Sequence, residues 1–191
     1  DFSSSSIAAA RNLAAAHAID AEFVCTDVYS LPECFTGKFD VVYAEGGILM
    51  WLPDMQALAN VVARCLKPGS IFYIRDSHTF RRVIFPVTLD GHGQPAYYHY
   101  FSKDTTCIEM RGSYAQPNAD TFHTVYFWVH GIGEIITSLC AAGLRIEFLH
   151  EFPRQYEELP TAIRTGPGQF AQHILHNWDI PNMFSLRAIL G

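Results

Sequence analysis

Phe39-Asp40-Val41-Val42-Tyr43-Ala44, running into Glu45-Gly46-Gly47, is the stretch on which the fold turns. It reads as a buried strand introduced by the turn Gly37-Lys38. Downstream, Pro53-Asp54 opens a helix whose apolar positions Met55, Leu58, Val62 and Leu66 share one face. Lys67-Pro68-Gly69 stops that helix, and Ile71-Phe72-Tyr73-Ile74 follows as another strand. Upstream, the alanine-rich segment from Ser3 to Ala18 reads as a helix with serines available as its N-cap. Ala21-Glu22-Phe23-Val24-Cys25 is a short β-like run ending at Thr26-Asp27. Up to Asp76 the chain therefore alternates helix, strand, helix, strand, which is the pattern of a parallel sheet with crossover helices.

After Asp76 the character changes. From His78 to about Asp120 the segment holds Gly91, Gly93, Pro95, Pro117 and many aromatic residues, without a helical period. It reads as a cap of antiparallel strands and loops, inserted at about 78–121. Phe122 to Val129 alternates as a strand. Gly131 to Ala142 places Ile132, Ile135, Ile136 and Leu139 on one helical face and ends at Gly143. Leu144 to Leu149 is the next strand. A polar, proline-containing loop runs from Glu151 to about Pro181, and Asn182 to Ala188 is the last strand. No linker separates two cores, so residues 1–191 are expected to form one domain.

Composition narrows the function. The chain has 191 residues, 49% of them hydrophobic, enough for one domain with a substantial core. No apolar run reaches the length of a membrane span, and no signal peptide is visible. The five cysteines, Cys25, Cys34, Cys65, Cys107 and Cys140, are never spaced C-x-x-C. They read as reduced thiols of a cytoplasmic protein, not as a disulfide framework or a metal site. A net charge of −6 and a pI near 5.8 argue against a nucleic-acid partner. Gly46-Gly47 lacks the lysine and threonine of a phosphate-binding loop, so that reading is rejected.

The order of these segments resembles the class I S-adenosylmethionine-dependent methyltransferases of the small-molecule type. Asp1-Phe2-Ser3 is similar to that family's acidic strand tip and helix start. Phe23-Val24-Cys25-Thr26-Asp27-Val28 resembles the strand whose terminal aspartate faces adenine. Phe39 to Gly46, with Trp51-Leu52-Pro53-Asp54, resembles the fourth strand and its loop, and Leu66-Lys67-Pro68-Gly69-Ser70 the turn into the fifth. Gly133-Glu134-Ile135 through Glu151, with Met183 to Arg187, resembles the C-terminal half. The resemblance implies a Rossmann-like α/β sheet, mostly parallel with an antiparallel last strand. It lacks the first strand and most of the second, so an N-terminally incomplete chain is the expectation. A missing central strand of about five apolar side chains would remove on the order of 10 kcal/mol of burial, comparable to the net stability of an ordinary domain.

The resemblance also implies S-adenosylmethionine as cofactor and a small organic molecule as methyl acceptor. Asp1 would accept from both ribose hydroxyls, a task that suits a carboxylate because it offers only acceptors. Phe2 would lie against the adenine ring, Asp27 would accept from the adenine amino group, and the Val28 N–H would read a ring nitrogen. Ala44, Glu45 and Gly46 would hold the methionine end at the carboxyl end of a central strand. The residues alone leave a helix cap open for Asp1 and Asp27, which is the commoner role of an isolated aspartate after a strand.

A hydroxyl or protonated amine acceptor also needs a base, and His78, His130 and Tyr98 stand where the sheet meets the cap. A packed or surface histidine is the competing reading for each. The aromatic cluster that includes Tyr98 and Trp128 reads either as pocket lining or as plain core. Two other functional readings stay open: a nicotinamide-dependent oxidoreductase, whose fold also places an acid after the second strand, and a non-catalytic fragment. Acceptor atom and oligomeric state are not legible.

Overall fold

Asp54 starts the helix that organises the core. Its Oδ1 accepts the Ala57 N–H at 2.9 Å, capping α2 (Met55–Cys65). The computed structural model describes residues 1–84, 99–112, 119–153, 162–167, 169–172 and 180–191. Met55, Leu58, Ala59, Val62 and Cys65 form the buried face of α2, at the helical spacing legible in the sequence. The chain passes from α2 straight into β2 (Leu66–Ser77). Lys67-Pro68-Gly69 therefore ends the helix but does not separate it from the strand. The extra residues are taken up in a register shift against β1 (Phe39–Glu45), where Phe39 pairs with Leu66 and Val41 with Ile71.

β1 and β2 are parallel, and β2 then pairs antiparallel with β8 (Met183–Leu190). β8 pairs antiparallel with β5 (Leu144–Phe152), giving the order β1-β2-β8-β5. Three strands run one way and the last in sequence runs against them, as expected. α2 and α4 (Ile132–Ala141) cover one face. Phe72, Ile74, Phe184, Leu186 and Ala188 meet Leu58, Val62, Ile135 and Leu139 there in one buried cluster. Each large side chain in it contributes roughly 1.5–3 kcal/mol. Gly143, at φ +88°, closes α4 in the left-handed region that L side chains rarely adopt.

The expectation that Phe39–Ala44 is buried needs correction. Val42 and Ala44 pack on the core, but Val41 and Tyr43 lie on the other face and are more than half exposed. On that face Tyr43, Tyr73 and Phe148 form a row of rings at 5.9 and 6.4 Å. β1 is an edge strand among the described residues, so only one of its sides is paired.

The N-terminal segment forms α1 (Ser4–Ala16), with Ser3 as N-cap accepting from the Ser6 N–H at 3.2 Å. The β-like run at 21–25 forms no strand. It is tied instead by Arg11, whose Nη2 donates to the Phe23 carbonyl at 2.7 Å. Within 78–121, residues Thr79–Ile84 form helix α3, where strands and loops were expected. β3 (Thr106–Arg111) and β4 (Phe122–Phe127) make an antiparallel pair. The segment from Glu151 to Pro181, expected as loop, carries a second pair, β6 (Ala162–Gly166) with β7 (Gln169–Gln172). Ile163 and Thr165 favour extended backbone, and Gly166-Pro167 is a turn signal.

Candidate active site

The residues expected to read adenosine come together first. The Thr26 N–H donates to the Asp1 carbonyl at 3.0 Å, and the Asp1 amino group donates to the Val24 carbonyl at 3.4 Å. These bonds bring the two carboxylates, Asp1 and Asp27, to one edge of the fold. Both carry local duties as well. Asp1 Oδ1 accepts the Ser3 N–H at 2.7 Å, and Asp27 Oδ1 accepts the Tyr29 N–H at 2.8 Å, capping the 3₁₀ turn Val28–Ser30. Cap and ligand contact are compatible, because a carboxylate has lone pairs beyond the one each cap uses. Phe2 is 82% exposed, its ring free to lie against a flat heterocycle.

The end of β1 is an open glycine turn. Gly46 and Gly47 sit at φ +81° and +87°, and a Cβ added at either would meet nothing within 4 Å. The backbone there is both open and confined to a conformation that glycine supplies without strain. The Glu45 carboxylate is paired with Arg75 and accepts from the Tyr43 hydroxyl. Its charge is thus engaged within the protein, and the Gly46 N–H donates to the Arg75 carbonyl at 3.3 Å. These residues fit an adenosine carrying an amino-acid tail.

Beside this edge lies a cavity of about 20 Å³, lined by Leu49, Met50, Asp76, Thr79, Trp128 and His130 among others. That is room for a single water molecule. Asp76, 2% exposed, was absent from the sequence expectations. It accepts the Leu49 N–H at 3.1 Å and the Ser77 N–H at 2.6 Å. A signal for it existed. Phe72, Ile74 and Asp76 fall on one face of β2 at period two, so the acid is in phase with core residues at the carboxyl end of a strand.

The expected bases are placed as follows. His130 is buried. Its Nε2 donates to the Leu52 carbonyl at 2.7 Å, its Nδ1 faces Glu134 at 3.4 Å, and its own carbonyl accepts from the Thr79 hydroxyl at 2.5 Å. His78 is also buried. Its Nδ1 accepts the Phe80 N–H at 3.1 Å, and Glu151 lies 2.8 Å from Nε2, off the ring N–H axis. Burial holds the His78 imidazole below its ordinary value, and the Glu151 carboxylate opposes that shift. Both rings thus have protein neighbours at each nitrogen. His130 lines the cavity and His78 does not. Tyr98 lies outside the described residues. Trp128 lines the cavity, while Tyr100, from the same aromatic cluster, accepts the Ile132 N–H at 3.2 Å and packs under Gly131.

Residues 1–69 match the family model described as a methyltransferase domain. No curated protein matches the chain. Among solved structures, the chain is similar to an S-adenosylmethionine-dependent methyltransferase from Clostridium acetobutylicum ATCC 824, with a TM-score of 0.63 and 13% identity over 100% of this chain and 73% of that one. A counterpart from Methanosarcina mazei has a TM-score of 0.58 and 17% identity, over 99% and 79% of the two chains. One from Mesorhizobium loti has a TM-score of 0.55 and 18% identity, over 99% and 77%. At such identities the likeness establishes the Rossmann-like fold.

Proposed function

We propose that this chain, which carries a methyltransferase-domain match over residues 1–69 on the fold of S-adenosylmethionine-dependent methyltransferases, transfers a methyl group from S-adenosylmethionine to a small organic molecule. The observation that supports the reading most is the main-chain bond from Thr26 N–H to the Asp1 carbonyl, which joins the segments that carry Asp1 and Asp27. Asp1, Phe2, Asp27 and Val28 take the adenosine, and the main chain of Ala44, Glu45 and Gly46 takes the methionine end. S-adenosylmethionine supplies, when bound, a methyl group on a positively charged sulfur that leaves as a neutral thioether. The protein's share is alignment, worth roughly 7–11 kcal/mol in well-oriented reactions.

The acceptor approaches from the side of Asp76, Trp128 and His130, whose own cavity of about 20 Å³ holds no more than a water molecule. Where an O–H or N–H acceptor must lose a proton, His130 and His78 are the candidate bases. We read α3 and β3, the described elements of 78–121, as parts of a cap within a single domain. The acidic chain favours a small acceptor over nucleic acid, and its five free cysteines suit the cytoplasm. No helix among the described residues is long and apolar enough to cross a membrane.

Thermal melting with S-adenosylhomocysteine and, separately, with NAD tests the reading. Stabilisation by about 2.7 kcal/mol is expected at a hundredfold excess over Kd with the first ligand and none with the second. Stabilisation by NAD alone would move the assignment to a nicotinamide-dependent oxidoreductase. Asp27→Ala and Asp1→Ala should each remove most of the effect.

A further inference from the structure

The loop that leaves β1 is bonded to three separate parts of the chain. The Leu49 N–H goes to Asp76, and the Met50 carbonyl accepts the Trp128 N–H at 3.0 Å. The Trp51 ring lies tilted on Phe127 at 4.9 Å, and the Leu52 carbonyl accepts from His130 at 2.7 Å. At its far end, the Tyr29 hydroxyl both accepts the Asp54 N–H at 3.0 Å and donates to the Asp54 carbonyl at 3.1 Å. Tyr29 stands two residues beyond Asp27, and its own N–H is the one that Asp27 caps.

We propose that Tyr29 is a positioning residue that links occupancy of the adenosine end to the geometry of the Leu49–Asp54 loop, and through that loop to the Asp76–Trp128–His130 cavity. The proposal rests on the cofactor reading above. Its physical basis is a strut with little give. The ring packs against the core, and the hydroxyl closes a two-bond clasp on main-chain atoms. Asp54 is itself held as the N-cap of α2, so it cannot yield without loosening that helix. A ligand that orders Asp27 and Val28 therefore orders the loop, and the loop fixes the Met50–Trp128 and Leu52–His130 bonds on the acceptor side.

Hydrogen–deuterium exchange on the full-length protein, with S-adenosylhomocysteine as the probe, reads this link. In the wild type, the ligand should slow exchange in peptides spanning 46–54 and 127–132, the Trp128 amide being the reporter. Tyr29→Phe keeps the ring and removes only the hydroxyl. It should bind the probe within about fivefold of wild type, the low end of typical couplings, yet lose the slowing at 127–132. Retained slowing there overturns the proposal. So does a loss of affinity beyond about tenfold, which would make Tyr29 a cofactor contact instead.

His130→Leu cuts the far end with Tyr29 intact. It should keep the slowing at 46–54 and lose it at 127–132, while His130→Gln, whose amide can still donate to the Leu52 carbonyl, restores it. Retained slowing at 127–132 in His130→Leu overturns the proposal as well. No binding of the probe to wild type overturns the cofactor reading and the link together, a result distinct from binding without transmission.

Discussion

The N–H of Leu49 donates to the buried carboxylate of Asp76 at 3.1 Å, fastening the loop that leaves β1 to the end of the neighbouring strand. Asp76→Ala should cost about 1–3 kcal/mol, because it strands the Leu49 donor away from water. Asp76→Asn keeps an acceptor oxygen and should cost less. Urea denaturation of the two variants checks the order, and equal losses would contradict it.

His78 gives the fold a pH dependence with a definite sign. Its imidazole is held neutral by burial, so the unfolded chain binds a proton more readily than the folded one. The contribution is complete above the ordinary histidine value of about 6.5 and is lost as pH falls through the lowered folded value. Protonation also removes the acceptor that Nδ1 offers to the Phe80 N–H. Melting temperature should fall on acidification below that range. His78→Asn should flatten this fall, and Glu151→Gln, which removes the opposing charge, should extend it to lower pH.

Cys65 is buried against the core, and burial raises its thiol above the ordinary value, whereas Cys25, Cys34, Cys107 and Cys140 are exposed. A thiol reagent at neutral pH should label the four exposed cysteines and spare Cys65 until the protein unfolds. Peptide mapping before and after denaturant reads this directly.

Leu186, on the antiparallel strand β8, is fully buried in the core cluster that also holds residues of α2 and α4. Leu186→Ala should destabilise the protein by about 2–5 kcal/mol through lost burial and the cavity it leaves. A smaller loss would mean that the site collapses around the gap.

What the sequence made legible was local. α2 carries its own N-cap and both α2 and α4 their own period and stops, so Asp54, the Met55–Val62 face and Gly143 could be recognised without the partners they meet. β2 and β8 were legible as apolar runs for the same reason. α3 was not, because a six-residue helix leaves too few turns for a period to emerge. The β6–β7 pair fell inside a stretch whose polar character masked its alternation. At the site, Asp1 and Asp27 were identifiable as types, and the cap reading offered for both is met by the Ser3 and Tyr29 N–H groups. His130 was picked out by its position at a strand end. Its bond to the Leu52 carbonyl, 78 residues away in sequence, depends on the packing of α4 beside the β1 loop. Asp76 shows the reverse: an acid in phase with core residues was present in the sequence, and its burial became meaningful once Leu49 was seen above it.

Among the described residues the outer margin of β1 is unpaired, and that margin bears on how these residues stay dispersed. Alternate N–H and C=O groups of Phe39–Glu45 point away from β2, with Val41 and Tyr43 exposed beside them. Charges along such a margin ordinarily keep other strands away. Here Asp40 is held by Lys67 at 2.8 Å and Glu45 by Arg75, so both acids are neutralised from within and repel little. Self-association should therefore depend on concentration and respond weakly to salt. Val41→Lys, one uncompensated charge at the centre of that margin, should raise the solubility limit without touching the core.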